Sequence, residues 1–310
     1  MSTLFAFLDA NPALHVAGVF VLGLIVGSFL NVVIYRLPLM LQRAWREQCA
    51  ELAPDDDGPA PDQHDTVPAG RPDAQERFDL VAPRSRCSHC GHAIRASENI
   101  PVVSYLLLRG RCSACGARIG LRYPLVELAT GVLSAVVAWH FGPGWTTIFA
   151  LVFTWMLIAA AGIDLDHQLL PDLITLPLLW LGLLVSLGSE AGRPLFVDPR
   201  SAILGAAAGY LSLWLLFHVY KRLTGKEGMG YGDFKLLGAL GAWLGWQLLP
   251  LVILLSAVVG AVTGGALIAF RGRDHQIPMP FGPFLAAAGW VALLWGPQLV
   301  GFYLEVTGLR

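Results

Sequence analysis

Apolar residues in this chain come in blocks, each about as long as a lipid bilayer is thick. The first runs from Leu14 to Tyr35. As a helix rising 1.5 Å per residue it is about 33 Å long, enough to cross the hydrocarbon core. Further runs lie at roughly 124–140, 145–163, 173–188, 201–220, 234–248, 250–270 and 282–304. The two between 234 and 270 are nearly continuous. Together they are too long for one span, and Pro250 with its neighbouring glycines supplies the break. Of the 310 residues, 55% are hydrophobic and 14% charged, where soluble domains average about 25% charged. The blocks predict an all-α polytopic membrane protein of about eight transmembrane helices. The lipid bilayer is an expected partner and nucleic acid is not. Residues 1–13 contain no Lys or Arg, so no cleavable signal peptide is expected.

Charge placement orients the spans. Residues 1–35 contain no Lys or Arg, while Arg36, Arg43 and Arg46 follow the first run and Arg109, Arg111, Arg118 and Arg122 precede the second. With eight spans, 18 of the 21 basic residues share one side, and only Arg193, Arg200 and Arg310 fall opposite. The positive-inside rule puts that side in the cytoplasm and both termini outside. The expected units are a first transmembrane helix at 1–36, a cytoplasmic domain at 37–123 and a transmembrane domain at 124–310. Within the cytoplasmic domain, 54–79 holds five prolines and eight acids with little to bury, and reads as a flexible insertion.

Residues 83–122 hold Cys87-Ser-His-Cys90 and Cys112-Ser-Ala-Cys115, separated by 21 residues. Gly91 and Gly116 follow the pairs and permit the tight turn that points two thiolates at one ion. Four thiolates match a closed tetrahedral Zn2+ site, and a module this small needs such a staple. The alternative is two reduced dithiols or a redox pair. Cys49 lies outside the pattern as a free thiol.

Ionisable groups at membrane depth are expensive and mark function. Two clusters stand out: Asp164, Asp166 and Asp172 in Ile163–Asp172, and Asp233 in Gly230-Tyr231-Gly232-Asp233. Asp164 is the first acid after a long apolar run. Asp233 follows two glycines that let backbone or substrate approach. Two carboxylates brought together by helix packing suit a water-activating aspartyl protease, in which one is ionised and one protonated. Asp166 reads as solvated and Asp172 as a helix cap. The competing reading of Asp164 and Asp233 is a structural pair with Lys235 or His167. The same alternation of spans puts both acids at cytoplasmic helix ends.

Other marked residues have plainer readings. Gly27-Ser28-Phe29-Leu30-Asn31 suits helix contact. Lys226 and Glu227 read as a solvated pair, Pro278 to Pro283 shape the start of the last span, and the ten tryptophans read mostly as interface anchors. Gly225 to Gly232 lacks the Lys-Ser/Thr of a phosphate loop.

The ordered set of motifs resembles the bacterial type IV prepilin peptidases over almost the whole length. It comprises Gly27–Asn31 with Arg36-Leu37-Pro38, both cysteine pairs, Glu98-Asn99-Ile100-Pro101, Arg122–Glu127, Ile163–Asp172, Gly225–Lys235 and Pro280-Phe281-Gly282-Pro283. The resemblance implies catalytic aspartates at Asp164 and Asp233 and Zn2+ ligands at Cys87, Cys90, Cys112 and Cys115. It implies cleavage of prepilin and type II secretion pseudopilin leaders after Gly, at the cytoplasmic face of the bacterial inner membrane. In many members it extends to N-methylation of the new N-terminus with S-adenosylmethionine. The chain has no Rossmann-type methyltransferase fingerprint, and no donor-site residue follows from the resemblance. Two rivals are considered. A presenilin-like Gly-x-Gly-Asp protease would have Tyr where Ile163 stands. A proton-coupled transporter would carry its acids near mid-bilayer in related halves.

Overall fold

The computed structural model describes residues 2–52, 78–87, 89–190, 192–226, 229–271 and 280–308. The acidic insertion expected at 54–79 lies outside the described residues apart from Phe78 and Asp79, as do Glu227 and Pro278. The elements, in chain order, are helices α1 (Ser2–Asp9), α2 (Pro12–Leu52), α3 (Val103–Leu107), α4 (Arg122–Phe141), α5 (Trp145–His167), α6 (Asp172–Val185), α7 (Pro199–Thr224), α8 (Tyr231–Leu244), α9 (Leu249–Arg271) and α10 (Gly282–Val306). A two-stranded antiparallel ribbon pairs Ser189 and Glu190 with Arg193 and Pro194 between α6 and α7.

Each apolar run becomes one helix. Among the described residues six helices are long and apolar enough to cross a membrane: α2, α4, α5, α7, α9 and α10. The other two, α6 and α8, have 14 residues each, about 21 Å at 1.5 Å per residue. The break between the last paired runs falls at Gly245, which closes α8 with φ +75°, and Pro250 sits in the first turn of α9. α2 continues through Pro38 well beyond its apolar run.

α8 is the centre of the bundle. Every residue from Phe234 to Leu244 except Lys235 is buried, as expected of a helix apolar all round. It packs between α6 and α7 and against α10. Backbones touch at the α7 crossing, where a Cβ on Gly205 would lie 2.1 Å from the Gly241 carbonyl oxygen. Small residues four apart permit such contacts in membranes. On the other side of the molecule α2 packs on α4 through Gly27, whose Cβ would stand 2.8 Å from the Glu127 backbone. This is the contact role read for the Gly27–Asn31 segment. Six of the ten tryptophans are exposed, but two others serve the interior. Trp243 is 1% exposed and donates its ring N–H to the Leu178 carbonyl at 2.9 Å, and Trp290 donates to Thr154 Oγ1 at 3.1 Å. These rings fill the bundle because their single donor finds a partner there.

Candidate active site and cysteine module

α5 ends in an αL residue, Gln168, whose N–H returns to the Asp164 carbonyl. This fixes Asp164 on the last turn, 5% exposed. The chain then runs through Leu170 and Pro171 into α6. α8 opens on Gly230, and Asp233, 7% exposed, is its third residue. Leu170 packs against Gly232, which precedes Asp233, and beside Gly282, which holds Asp164. A Cβ on Gly232 would meet Leu170 Cβ at 2.6 Å, so the second glycine of Gly-x-Gly-Asp is there to let α8 close on this leucine. Gly282, the first residue of α10, completes the enclosure. Its N–H donates to Asp164 Oδ2 at 2.9 Å, and a Cβ there would stand 2.7 Å from the same oxygen. The Asp164 and Asp233 carboxylates are near enough for their charges to interact.

The neighbouring acids are accounted for. Asp166 pairs with Arg122 at the start of α4. Asp172 is the first residue of α6 and not its cap, which is Pro171, and it accepts from Lys235 Nζ at 2.6 Å. Lys235 is thereby taken up outside the buried pair, against the reading that made it a structural partner of Asp164 or Asp233. The sequence-level reading missed the part played by Gly282. The Pro280–Pro283 segment was the available signal, and it pointed only to the start of a helix.

The cysteine module is built from two similar turns. Gly91 N–H returns to the Cys87 carbonyl at 2.9 Å and Gly116 N–H to that of Cys112 at 2.9 Å, both glycines at φ +71°. The four Sγ atoms lie within 4.8 Å of one another. With Zn–S bonds of about 2.3 Å a tetrahedron has edges of about 3.8 Å, and Cys87 Sγ lies 3.9 Å from Cys115 Sγ. The donor set fits a metal ion. Backbone N–H groups of Cys90 and His89 bring the Cys87 thiol down to about 6. Cys115 goes up to about 11: the Ala117 N–H lowers it, but hydrogen bonds with the thiols of Cys90, Cys112 and Cys87 and desolvation outweigh that. Four thiols this close cannot all ionise without a cation among them. Glu98 ties the two turns together. It accepts from the Arg95 N–H at 2.9 Å and from Ser113 Oγ at 2.6 Å, and meets His92 Nε2 at 3.4 Å. Those bonds hold its carboxyl at about 2.

Polar contacts fasten the module to the helices. Arg36 of α2 donates to the carbonyls of Asp79 and Pro83 at 2.8 and 2.6 Å and the Val102 N–H donates to Glu127 Oε2 at 2.8 Å, while Asn31 ties α2 to α4 by donating to the Tyr123 carbonyl at 3.0 Å. Motif residues that carry no chemistry in the sequence-level reading are thus docking contacts.

Residues 21–141 match the family model described as the bacterial peptidase A24 N-terminal domain, and residues 151–265 match that of the type IV leader peptidase family. The chain belongs to the type IV leader peptidase family. Among its relatives, the prepilin leader peptidase/N-methyltransferase of Stutzerimonas stutzeri is 55% identical over 303 residues, covering 98% of each chain. The protein of the same name from Pseudomonas aeruginosa is 51% identical over 304 residues, again 98% of each, and that of Dichelobacter nodosus 48% over 285 residues, 91% of this chain and 93% of its own. No solved structure matches this leader peptidase family member.

Proposed function

We propose that this chain is a membrane aspartyl endopeptidase that removes the leaders of type IV prepilins and pseudopilins after Gly and N-methylates the new N-terminus. The observation that carries the peptidase reading is the pair Asp164 and Asp233: two buried carboxylates from separate helices, enclosed by Leu170 and Gly282, while the nearby cations Arg122 and Lys235 are engaged by Asp166 and Asp172. Two carboxylates sharing a site cannot both ionise, and they titrate as a unit. The ionised member takes a proton from water, the protonated member polarises the scissile carbonyl, and the roles then exchange. Asp164 Oδ2 is held by Gly282, which leaves Oδ1 for the water. A transporter reading has no such observation behind it, since the two acids sit at helix ends beside one another.

Cys87, Cys90, Cys112 and Cys115 would hold Zn2+ as a structural staple with no open position. S-adenosylmethionine, as co-substrate, supplies the methyl group that replaces a hydrogen on the freed amine. Positive-inside charge supports placing the module and both acids on the cytoplasmic face of the inner membrane.

The test is a cleavage assay on purified protein with a prepilin carrying a Gly-Phe junction, plus S-adenosylmethionine, read by product mass. The expected product is leaderless pilin with one added methyl mass. Intact prepilin after incubation with folded, metal-loaded enzyme would overturn the reading.

A further inference from the structure

Among the described residues, the cysteine module presents an exposed apolar edge. Leu106 and Leu107 of α3 are 68% and 77% exposed, and Ile100 and Val103 are nearly half exposed. A cluster of this kind marks an interaction surface. Its position follows from one hydrogen bond. The Val102 N–H is held by Glu127, which lies five residues after Arg122 at the start of α4, about 7.5 Å along the helix axis. α4 is itself long and apolar enough to span a membrane. The turn that leads into α3 is therefore clamped beside α4 inside the membrane end of that helix, at the depth where interfacial segments sit. α4 carries its own outward stripe, Leu125, Leu128 and Val132, beyond its exposed N-cap Leu121.

Charge favours one occupant. Residues 102–122 contain Arg109, Arg111, Arg118 and Arg122 and no acid. Arg122 is taken by Asp166. Among the described residues, no carboxylate pairs with the other three. Arg111 and Arg118 stand opposite one another on an antiparallel bridge, where like charges are unfavourable unless an anion joins them. We infer that this edge is a membrane anchor: Ile100, Val103, Leu106 and Leu107 enter the boundary between headgroups and acyl chains, and Arg109, Arg111 and Arg118 hold anionic phospholipid headgroups. The anchor would pin the module to the bilayer and, through Arg122 and Asp166, steady the end of α5. The apolar helix of a prepilin is the competing occupant. The bilayer is favoured because Arg109, Arg111 and Arg118 follow the patch in the chain with no carboxylate partner among the described residues.

The experiment uses the full chain in nanodiscs of phosphatidylethanolamine and phosphatidylglycerol. Trace phosphatidylglycerol or phosphatidylcholine with a diazirine on its acyl chain is photolysed, and adducts are mapped by mass spectrometry. The wild type is expected to carry adducts on 100–107 as well as on the α4 stripe, more from phosphatidylglycerol than from phosphatidylcholine. Arg109→Gln and Arg111→Gln should each lower that preference by about fivefold. Leu106→Asp with Leu107→Asp should lose the 100–107 adducts while keeping bound metal and the α4 adducts. Wild-type adducts on α4 with none on 100–107, or equal labelling by the two lipids, would overturn the anchor. So would loss of the 100–107 adducts on adding a prepilin N-terminal peptide, which would assign the surface to the substrate. Comparing the two lipids on wild type requires no variant.

Discussion

Asp164 Oδ2 is held by the N–H of a residue 118 positions away. A methyl group on Gly282 would press on that oxygen at 2.7 Å, so Gly282→Ala should move the carboxylate without removing it. Misplacement on this scale lowers kcat by about 10- to 100-fold, with KM little changed and the melting temperature close to wild type. Unaltered kcat would remove Gly282 from the site. Glu98 offers a second test at this scale. Because it bridges both cysteine turns, Glu98→Gln should speed metal release to a chelator by up to about tenfold. Its carboxyl is depressed to about 2 from an ordinary 4.5. Its contribution is therefore complete above 4.5 and lost only as pH falls toward 2. The difference between wild type and variant should stay constant from about pH 8 to 5, and a difference that fades within that range would contradict the assignment. The two Cys-x-x-Cys turns were legible in sequence because ligands and glycines lie within a few residues of one another. The Gly282 contact and the Lys235–Asp172 pair were not, since only packing brings such distant positions together.

Helices were legible as apolar runs, and the shortness of two was legible as well, since 173–188 and 234–248 hold only 16 and 15 residues. α6 and α8 belong to runs that read as spans, yet each makes a helix of only 14 residues, about 21 Å where a hydrocarbon core needs about 30 Å. The reason is local. α6 stops at Val185 and Gly245 closes α8, so the last apolar residues of each run go into a loop and a short 3-10 turn. α8 can be short because it is enclosed by other helices and carries one catalytic candidate at its first turn. Its seating depends on the backbone contact with α7. Gly205→Ala would put a Cβ 2.1 Å from a carbonyl oxygen and force the two helices apart. We expect a loss of at least about 1–3 kcal/mol in detergent unfolding, with cleavage reduced as Asp233 shifts. A stable, fully active variant would contradict the packing.

At the scale of the molecule, a metal-stapled module is fastened to a helical bundle through Arg36 and Glu127. A module this small depends on its metal. Chelation should therefore raise hydrogen exchange in 84–119 first, while the buried helices α5 and α8 stay protected; uniform exchange across both would mean that module and bundle unfold as one. The two acids themselves were legible because charge is rare in apolar runs, whereas their meeting depended on the fold around Leu170. The central claim is that Asp164 and Asp233 work as one catalytic pair, and single substitutions test it most directly. Asp164→Asn and Asp233→Asn, each purified, folded and loaded with metal, should each lose at least about 100-fold in prepilin cleavage rate, with Asp166→Asn and Asp172→Asn milder. Substantial cleavage by either of the first two would contradict the account.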